Sequence, residues 1–173
     1  MSPPTFKLEH APKAAAMMRP GDFMFTIDMK SGYHQIPLKP SFKRFCCFQW
    51  GGRIYRWRVL PFGLSSAPRA YTKISGCMVA YWRAQGIRVS NYIDDFIFLA
   101  ASLEEALELR DQVLKDMAMF GWHISLSKSC LIPAQRALYL GFEFCSVPVC
   151  CVAVPASKIV RLQALLGRAL RRH

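Results

Sequence analysis

Residues 87–100 are the most informative part of the chain and read IRVSNYIDDFIFLA. Two strand-like apolar runs, Ile87 to Tyr92 and Phe96 to Ala100, flank Asp94 and Asp95, which predicts a tight hairpin turn at the acidic pair. Adjacent carboxylates in such a turn repel each other and are poorly solvated. A divalent cation would remove the repulsion, whereas an ordinary acidic turn is the alternative because Asp is a common turn residue.

A third carboxylate is expected at the end of another strand. Residues 23–27 alternate bulky apolar side chains and lead directly into Asp28. Three carboxylates are enough to hold two ions about 3.5–4 Å apart, and Mg²⁺ is the hard cation that carboxylates share with substrate phosphates. The sequence therefore predicts two Mg²⁺ ions, for which Mn²⁺ could substitute, where Asp28, Asp94 and Asp95 meet.

Four helices are predicted from capping and turn signals. Their expected bounds are Ala11 to Met18, Ser65 or Ser66 to Gly86, Ser102 to Phe120, and Ala156 to Arg171. Ser102 and Glu105 form a capping box, and Pro68 lies in the first turn of the second helix. One apolar stripe of that helix is expected to be buried: Ala67, Tyr71, Ile74, Met78 and Tyr81.

Two more hairpins are predicted on either side of these elements. Phe45–Trp50 and Ile54–Val59 are separated by Gly51-Gly52, and Leu138–Cys145 is followed by Val149–Val154. The order of strands and helices is that of an α+β fold. It favours an antiparallel sheet with helices on one face, close to the split βαβ (ferredoxin-like) plan.

The positive charge of the chain is concentrated between Met29 and Ile93. The formal net charge is +12, and this segment contains no Asp or Glu. Its basic residues are Lys30, Lys39, Lys43, Arg44, Arg53, Arg56, Arg58, Arg69, Lys73, Arg83 and Arg88. Aromatic residues between positions 42 and 57 are interleaved with them and can stack on bases, so the segment predicts a nucleic-acid partner. A solvated basic surface is the alternative.

The composition excludes several classes of protein. A hydrophobic content of 53% excludes a disordered chain. Seven cysteines without a C-x-x-C pattern, and four scattered histidines, argue against structural zinc and indicate reduced thiols in an intracellular protein, cytoplasmic or nuclear rather than secreted. There is no signal peptide and no apolar run of about 18 residues, so no membrane partner is expected.

Five segments together resemble the motifs of retrotransposon reverse transcriptases. They are Phe25–Ile36 (FTIDMKSGYHQI), Leu60–Pro68 (LPFGLSSAP), Tyr92–Asp95 (YIDD), Gly121–Ser129 (GWHISLSKS) and Tyr139–Phe142 (YLGF). The resemblance covers roughly Phe6 to Phe144 and is closest to long-terminal-repeat and tyrosine-recombinase retroelements. It implies a polymerase palm with part of the fingers, and an RNA-directed DNA polymerase that binds a primed RNA or DNA template and a deoxynucleoside triphosphate.

The resemblance also implies roles for the acids and one lysine. Asp28 and Asp94 would be the main ligands of both metal ions, assisted by the backbone carbonyl of Met29, with Asp95 a weaker or more distant partner. Lys128 is similar to the lysine thought to protonate the departing pyrophosphate. A lone lysine in a polar loop is otherwise plain surface.

On the nucleotide side, Tyr33 lies where the family places a bulky side chain against the sugar. A ring there would collide with a 2′-hydroxyl and so select deoxynucleotides. Phe62 and Gly63 resemble the part of the second motif that contacts nucleotide and template. Without the resemblance, Tyr33 and Phe62 are equally well explained as core residues.

On the nucleic-acid side, the resemblance places Tyr92 beside the primer terminus and Leu140 and Gly141 in the segment that grips the primer backbone. Arg69 and Lys73 follow the second motif on a helix and could reach template phosphates. The alternatives are exposed helix residues for the two basic side chains and an ordinary apolar strand for the grip segment.

One reverse transcriptase domain fragment is expected over residues 1–173, with fingers at about 1–60, palm at about 20–145 and a C-terminal basic helix at 155–172. Only 27 residues precede Asp28, and Lys7, Lys13 and Arg19 do not match the family's basic fingers strand. No thumb, connection or ribonuclease H segment is recognised. The predicted function is therefore polymerase activity of a fragment, and the alternatives are a catalytically inactive nucleic-acid-binding remnant or an unrelated RNA-binding domain.

Overall fold

The computed structural model of the protein describes residues 8–170. Its elements are α1 (Ala11–Met17), β1 (Phe23–Asp28), two 3₁₀ helices (Gly32–Gln35 and Pro40–Phe45), β2 (Cys47–Trp50), β3 (Arg53–Arg56), α2 (Ala67–Ala84), β4 (Arg88–Tyr92), β5 (Asp95–Ala100), α3 (Leu103–Met119), β6 (Cys130–Ala134), β7 (Arg136–Tyr139), β8 (Phe142–Cys145), β9 (Cys151–Ala153) and α4 (Ala156–Leu170). Expectations that fall on residues 1–7 and 171–173, including the basic Arg171 and Arg172, lie outside the described residues.

A four-stranded antiparallel sheet in the order β4-β5-β1-β6 forms the centre of the fold. Side chains alternate between its two faces, as the pleat of a strand requires. Phe25 and Phe98, which stack with ring centroids 4.9 Å apart, point to one face. Met24 and Leu99 belong to the core on the opposite face. The sheet is therefore buried on both sides.

The two long helices, α2 and α3, lie together on one face, as predicted. Trp82 of α2 is fully buried against Phe96 and Phe98. Its indole N–H donates a hydrogen bond of 2.9 Å to Oδ2 of Asp116 on α3. A buried indole N–H needs an acceptor, so this bond joins the two helices over the sheet.

A second cover on the opposite face was not predicted from the sequence. The three-stranded sheet β7-β8-β9 and helix α1 pack there, with Ala14, Ala137 and Phe144 buried against Met24 and Leu99. The predicted α+β fold with an antiparallel central sheet is confirmed, and helices α2 and α3 occupy a single face of that sheet.

The predicted buried stripe of α2 was partly wrong. Ile74 and Tyr81 are 41% and 43% exposed, whereas Val79 and Trp82 are buried. The predicted stripe follows a repeat of 3.5 residues, whereas a straight helix has 3.6 residues per turn. Over five turns this difference rotates the buried face, so that Val79 and Trp82 contact the sheet in place of Ile74 and Tyr81. Ser66 is the N-cap residue but its side chain makes no cap bond, whereas the capping box of α3 is confirmed by a 3.1 Å bond from the Glu105 N–H to Ser102 Oγ.

The strands of both predicted hairpins have other bounds than the sequence indicated. A 3₁₀ helix runs to Phe45, so β2 begins only at Cys47. Residues 138–145 are not one strand, because Leu140 and Gly141 take positive φ angles of 50° and 76° and turn the chain between β7 and β8. Strand β6 was missed because its Pro133 argues against a strand in a sequence pattern. No helix among residues 8–170 is long and apolar enough to cross a bilayer.

A buried ion pair connects the end of α1, the residue before β1 and the first residue of β4. Asp22 is 1% exposed. Its carboxylate accepts hydrogen bonds from both terminal nitrogens of Arg88, of which the bond from Nη2 is 2.7 Å long. It also accepts a 2.7 Å bond from the backbone N–H of Arg19. Arg88 also donates to the Met17 carbonyl at 3.0 Å. Because the carboxylate has lost its water, its guanidinium partner must remain in place.

Replacing Arg88 with Ala should therefore lower the free energy of unfolding by about 3–5 kcal/mol, since it leaves the Asp22 charge buried and unpaired. Urea denaturation followed by circular dichroism measures the change. Arg136→Ala is the control, because Arg136 is 67% exposed in its pair with Glu143 and such pairs contribute at most about 1 kcal/mol. Equal losses in the two variants would contradict the assignment.

Candidate active site

The three predicted acids meet at one end of the two middle strands of the central sheet, β1 and β5. Asp28 is the last residue of β1 and pairs directly with Asp95, the first residue of β5. Directly opposed residues of antiparallel strands have Cβ atoms about 4.5–5.5 Å apart. Asp94 precedes Asp95 in the β4–β5 turn, and its carbonyl accepts a 2.9 Å hydrogen bond from the N–H of Met29. The pairing of β1 with β5 thus brings Asp28 together with Asp94 and Asp95, which lie 66 and 67 positions further along the chain.

The turn that carries the acids is conformationally strained. Ile93 has a φ of +56°, a left-handed conformation that is strongly disfavoured for a β-branched residue and normally occupied by Gly in two-residue hairpins. Such a residue costs about 1–3 kcal/mol unless its surroundings impose the conformation. Ile93 packs against the buried cluster of Leu60 and Tyr71, which holds the turn in place.

Mutual repulsion and burial alter the acidity of the pair in the turn. Burial, and then the charges of Asp94 and Asp28, raise the pKa of Asp95 to about 6. Burial is also the main cause that raises the pKa of Asp94, with Asp28 adding to it and Lys128 opposing it. The site therefore has too little positive charge for its carboxylates as it stands.

The donor atoms fit a hard divalent cation. Oδ1 of Asp28 is buried without a hydrogen-bond partner, and its nearest cation is Nζ of Lys128 at 3.8 Å. An unsatisfied buried carboxylate oxygen beside two more carboxylates is the oxygen-rich environment that Mg²⁺ prefers. Within residues 8–170, no three His, Cys, Asp or Glu side chains are grouped closely enough to hold a metal ion as they stand.

A cavity of about 390 Å³ opens beside Asp94. It is lined by Met29, Ser31, Gly32, Tyr33, Phe62, Ile93, Asp94 and Lys128. The Tyr33 ring lies 5.0 Å from that of Phe62 and 5.2 Å from that of Tyr71, and burial together with the charge of Asp94 raises the pKa of Tyr33. Five of the predicted residues therefore share one cavity: Met29, Tyr33, Phe62, Asp94 and Lys128.

Exposure argues against the core alternative for Phe62 but does not separate the alternatives for Tyr33, which packs partly buried against the cluster that contains Tyr71. Phe62 is 65% exposed, so it is not a core residue. Tyr33 is half-buried, whereas the fully buried tyrosine of this region is Tyr71. Gly63 has a φ of +85° and a free Cβ direction, and it does not line the cavity.

Gly32 was not singled out in the sequence, but the cavity depends on it. A Cβ at this position would lie 2.7 Å from the hydroxyl oxygen of Tyr71, which is closer than real Cβ contacts allow. Gly32 therefore lets the 3₁₀ helix that carries Tyr33 pack directly on α2. The Gly-Tyr pair in the first motif is the signal that could have indicated this close approach.

A second cavity, of about 590 Å³, lies on the other side of the Tyr92–Asp95 turn. Tyr92, Leu140 and Phe142 line it together with residues of α1, and the Tyr92 ring lies 5.4 Å from that of His10. Gly141 forms the adjacent turn, where its carbonyl accepts a 2.9 Å hydrogen bond from Lys158 Nζ. Arg69 and Lys73 are exposed on α2 and line neither cavity.

The β2–β3 hairpin is exposed along its whole length. Trp50 and Ile54 are 74% and 76% exposed, and the rings of Phe48 and Tyr55 stack 5.5 Å apart. Arg53 and Arg56 lie on the same hairpin. Exposed aromatic rings among cations are the features of a surface that stacks on unpaired bases.

Comparison with known proteins gives one consistent result. The model of the family described as "Reverse transcriptase (RNA-dependent DNA polymerase)" matches residues 2–144. The chain is 28% identical over 117 residues to the genome polyprotein of Petunia vein clearing virus, covering 68% of this chain and 5% of that protein. It is 34% identical over 124 residues to the Pro-Pol polyprotein of feline foamy virus, covering 71% of this chain and 10% of that protein.

Solved structures agree with this result. A foamy viral protease-reverse transcriptase in complex with RNA/DNA hybrid matches with a TM-score of 0.76 at 22% identity, covering 91% of this chain and 20% of that chain. At this identity the likeness establishes the fold alone. The chain spans only a small part of the length of the proteins that it matches.

Replacing Asp95 with Asn should stabilise the metal-free protein above about pH 6. Because the pKa of Asp95 is raised from 3.8 to about 6, the folded chain binds this proton more tightly than the unfolded chain does, and the wild type loses stability as the pH rises through that interval. The carboxyl is only half-buried, so solvent screening reduces the expected gain at about pH 7.5 to about 1 kcal/mol.

Chemical denaturation in a chelating buffer, at several pH values between about 4 and 8, measures the effect. Asp111→Asn is the control, because Asp111 is 56% exposed on α3 beside Arg110. Identical pH profiles for the wild type and the Asp95 variant would show that the carboxyl groups do not interact as the geometry implies.

Proposed function

This chain belongs to the reverse transcriptase (RNA-dependent DNA polymerase) family, and from that membership we propose that it adds deoxynucleotides to a primer on an RNA or DNA template. The observation that carries the proposal is the meeting of Asp28, Asp94 and Asp95 beside the cavity that contains Tyr33. This arrangement supplies the charge and the space that nucleotidyl transfer requires.

The proposed metal ligands are the carboxylates of Asp28 and Asp94 and the backbone carbonyl of Met29, with Asp95 a weaker partner. When bound, two Mg²⁺ ions, or Mn²⁺ in their place, would activate the primer 3′-hydroxyl and neutralise the triphosphate. The chain's own contribution is to hold the ligands at the end of β1 and in the β4–β5 turn. The unpartnered Asp28 Oδ1 supports this assignment.

The cavity of about 390 Å³ is the proposed nucleotide site. The half-buried Tyr33 ring would pack against the sugar, and Phe62 and Gly63 would lie against the incoming nucleotide or the template. Lys128 is 71% exposed and close to Asp28, so its ammonium can reach a triphosphate placed over the acids. Its proposed role is to donate a proton to the departing pyrophosphate.

The primer and the template are proposed to lie on either side of the acidic turn. Tyr92, Leu140 and Gly141 border the larger cavity and would contact the primer end. Arg69 and Lys73 are proposed phosphate contacts, and the exposed β2–β3 hairpin would stack on template bases. In this assignment the fingers end near residue 60 and the palm near residue 145, followed by the basic helix α4.

A nucleic-acid-binding remnant without catalysis is the second candidate. Two observations favour it: the β2–β3 surface does not depend on the acids, and no complete metal cluster is preassembled among residues 8–170. Binding and extension must therefore be measured on the same protein.

Primer extension on an RNA template with Mg²⁺ tests the function. We expect Asp94→Asn to reduce extension by at least about 100-fold, because it removes a metal ligand that stabilises the transition state by several kcal/mol. Fluorescence anisotropy with the same primed template should show binding within about threefold of wild type. Asp111→Asn, on the exposed face of α3, is the matched control and should extend normally.

Binding by the wild type without any extension would favour the remnant over the polymerase. Extension that survives Asp94→Asn at the wild-type rate would exclude the proposed metal site.

Replacing Tyr33 with Ala should weaken the selection of deoxynucleotides by about 10- to 100-fold. A ring that excludes a hydroxyl group discriminates by about 1–3 kcal/mol, and removing it makes room for the 2′-hydroxyl. Single-nucleotide extension with paired dNTP and rNTP substrates measures the ratio of kcat/KM. Tyr81→Ala is the control, since Tyr81 is exposed on α2, and an unchanged ratio in the Tyr33 variant would exclude the sugar-contacting role.

A further inference from the structure

Gln35 connects two segments of the chain that each contribute residues to the proposed nucleotide cavity, Gly32 and Tyr33 from one and Lys128 from the other. It is the last residue of the 3₁₀ helix Gly32–Gln35, which carries Tyr33. Its Nε2 donates hydrogen bonds to the carbonyls of Lys30 at 2.7 Å and His123 at 2.9 Å. Its Oε1 accepts a 2.7 Å bond from the N–H of His123. One half-buried side chain thus satisfies both backbone groups of a residue 88 positions away.

The segment that Gln35 holds is the loop 122–129, which ends with Lys128 and Ser129. The Lys30 N–H donates to the same His123 carbonyl at 2.9 Å, and the Ser125 N–H donates to the Asp28 carbonyl at 2.8 Å. At the far end of the loop, Ser129 Oγ accepts a 3.0 Å bond from the Asp28 N–H. Hydrogen bonds of His123, Ser125 and Ser129 therefore connect the loop to the end of β1 and the residues after it. Gln35 adds side-chain bonds to His123, near the start of the loop.

The three bonds of Gln35 are made at a place where regular pairing is minimal. β1 ends at Asp28, and on the side of the loop an isolated Met29–Ile124 bridge continues the pairing. His123 is exposed, so without Gln35 its backbone N–H would donate its hydrogen bond to water instead. Movement of the loop at this point would be expected to displace Lys128, whose exposed side chain lies 3.8 Å from Oδ1 of Asp28.

We propose that Gln35 is a positioning residue for nucleotidyl transfer, which sets the distance of the Lys128 loop from the acids and from Tyr33. The inference rests on the proposed function for its catalytic consequence, but the loop contact itself does not. A displacement of about 1 Å in a reacting group can reduce a rate by up to about 100-fold. We expect a loss of about tenfold, because Ser125 and Ser129 keep the rest of the loop attached.

Glutamine suits this position because the contact needs donors and an acceptor on one planar group. In Gln35→Met the shape is kept but all three bonds are lost. In Gln35→Glu the bond to the His123 N–H is retained, but a carboxylate oxygen then faces the two carbonyls of Lys30 and His123. The Glu variant should therefore be at least as impaired as the Met variant.

Hydrogen exchange of the whole chain tests the contact without relying on activity. The amide of His123 should exchange at least about tenfold faster in Gln35→Met than in the wild type, with a smaller increase at Ser125. Gln112→Met is the matched control, because the Gln112 amide donates a 2.9 Å hydrogen bond to the exposed side chain of Gln85, far from the loop. Unchanged exchange at His123 in the Gln35 variant would overturn the inference, whether or not the protein extends primers.

A double-mutant cycle tests the link to Lys128. Gln35→Met should lower kcat for single-nucleotide addition about tenfold, with less than about a threefold change in KM for the nucleotide. In a Lys128→Ala background the same change should cost less than about twofold, because the group to be positioned is gone. A full tenfold loss in both backgrounds would assign Gln35 a general structural role and overturn the inference.

The two proposals fail in distinguishable ways. A wild-type chain that extends no primer contradicts the proposed function, and the exchange of the His123 amide still decides whether Gln35 holds the loop. Faster exchange in Gln35→Met, with Gln112→Met unchanged, supports the contact in that case as well.

Discussion

The antiparallel pairing of Asp28 with Asp95 is the constraint on which the remainder of the site depends. It places two like charges opposite each other at the ends of the two middle strands, with a third acid in the adjoining turn. Carboxylates in such positions are unfavourable without a cation, as the raised pKa of Asp95 shows. The sheet can tolerate this repulsion because its strands are buried on both faces. The ends of β1 and β5 therefore cannot move apart without disrupting the core.

Packing on both faces also explains how a strained turn persists. Ile93 adopts a left-handed conformation while its side chain contacts the buried cluster of Leu60, Ala67 and Tyr71. Gly32 allows Tyr71 to approach the backbone of the Tyr33 helix. On the other face, the Tyr139 hydroxyl donates a 3.4 Å bond to the Asp95 carbonyl. The acids are thus held by contacts from both sides of the sheet.

The acidic turn separates two environments. Ile93 and Asp94 face the smaller cavity, whose polar lining includes Lys128, and Tyr92 faces the larger, mainly apolar one beside Leu140. Successive residues of a strand point to opposite sides, so a short hairpin can present different chemistry to each. In the proposed function the smaller cavity would hold the incoming triphosphate and the larger one the primer strand, so that the primer 3′-hydroxyl and the α-phosphate meet at the acids between them.

Local patterns alone predicted the hairpin with its acids, the strand ending at Asp28 and the helix bounds to within a few residues, because periodicity and turn chemistry act over neighbouring positions. The resemblance of five motifs added the family. Sequence patterns did not reveal β6, the cover by β7–β9, the burial of Trp82 in place of Tyr81, or the bonds of Gln35. Each of these depends on a partner tens of residues away, which only the folded chain brings into contact.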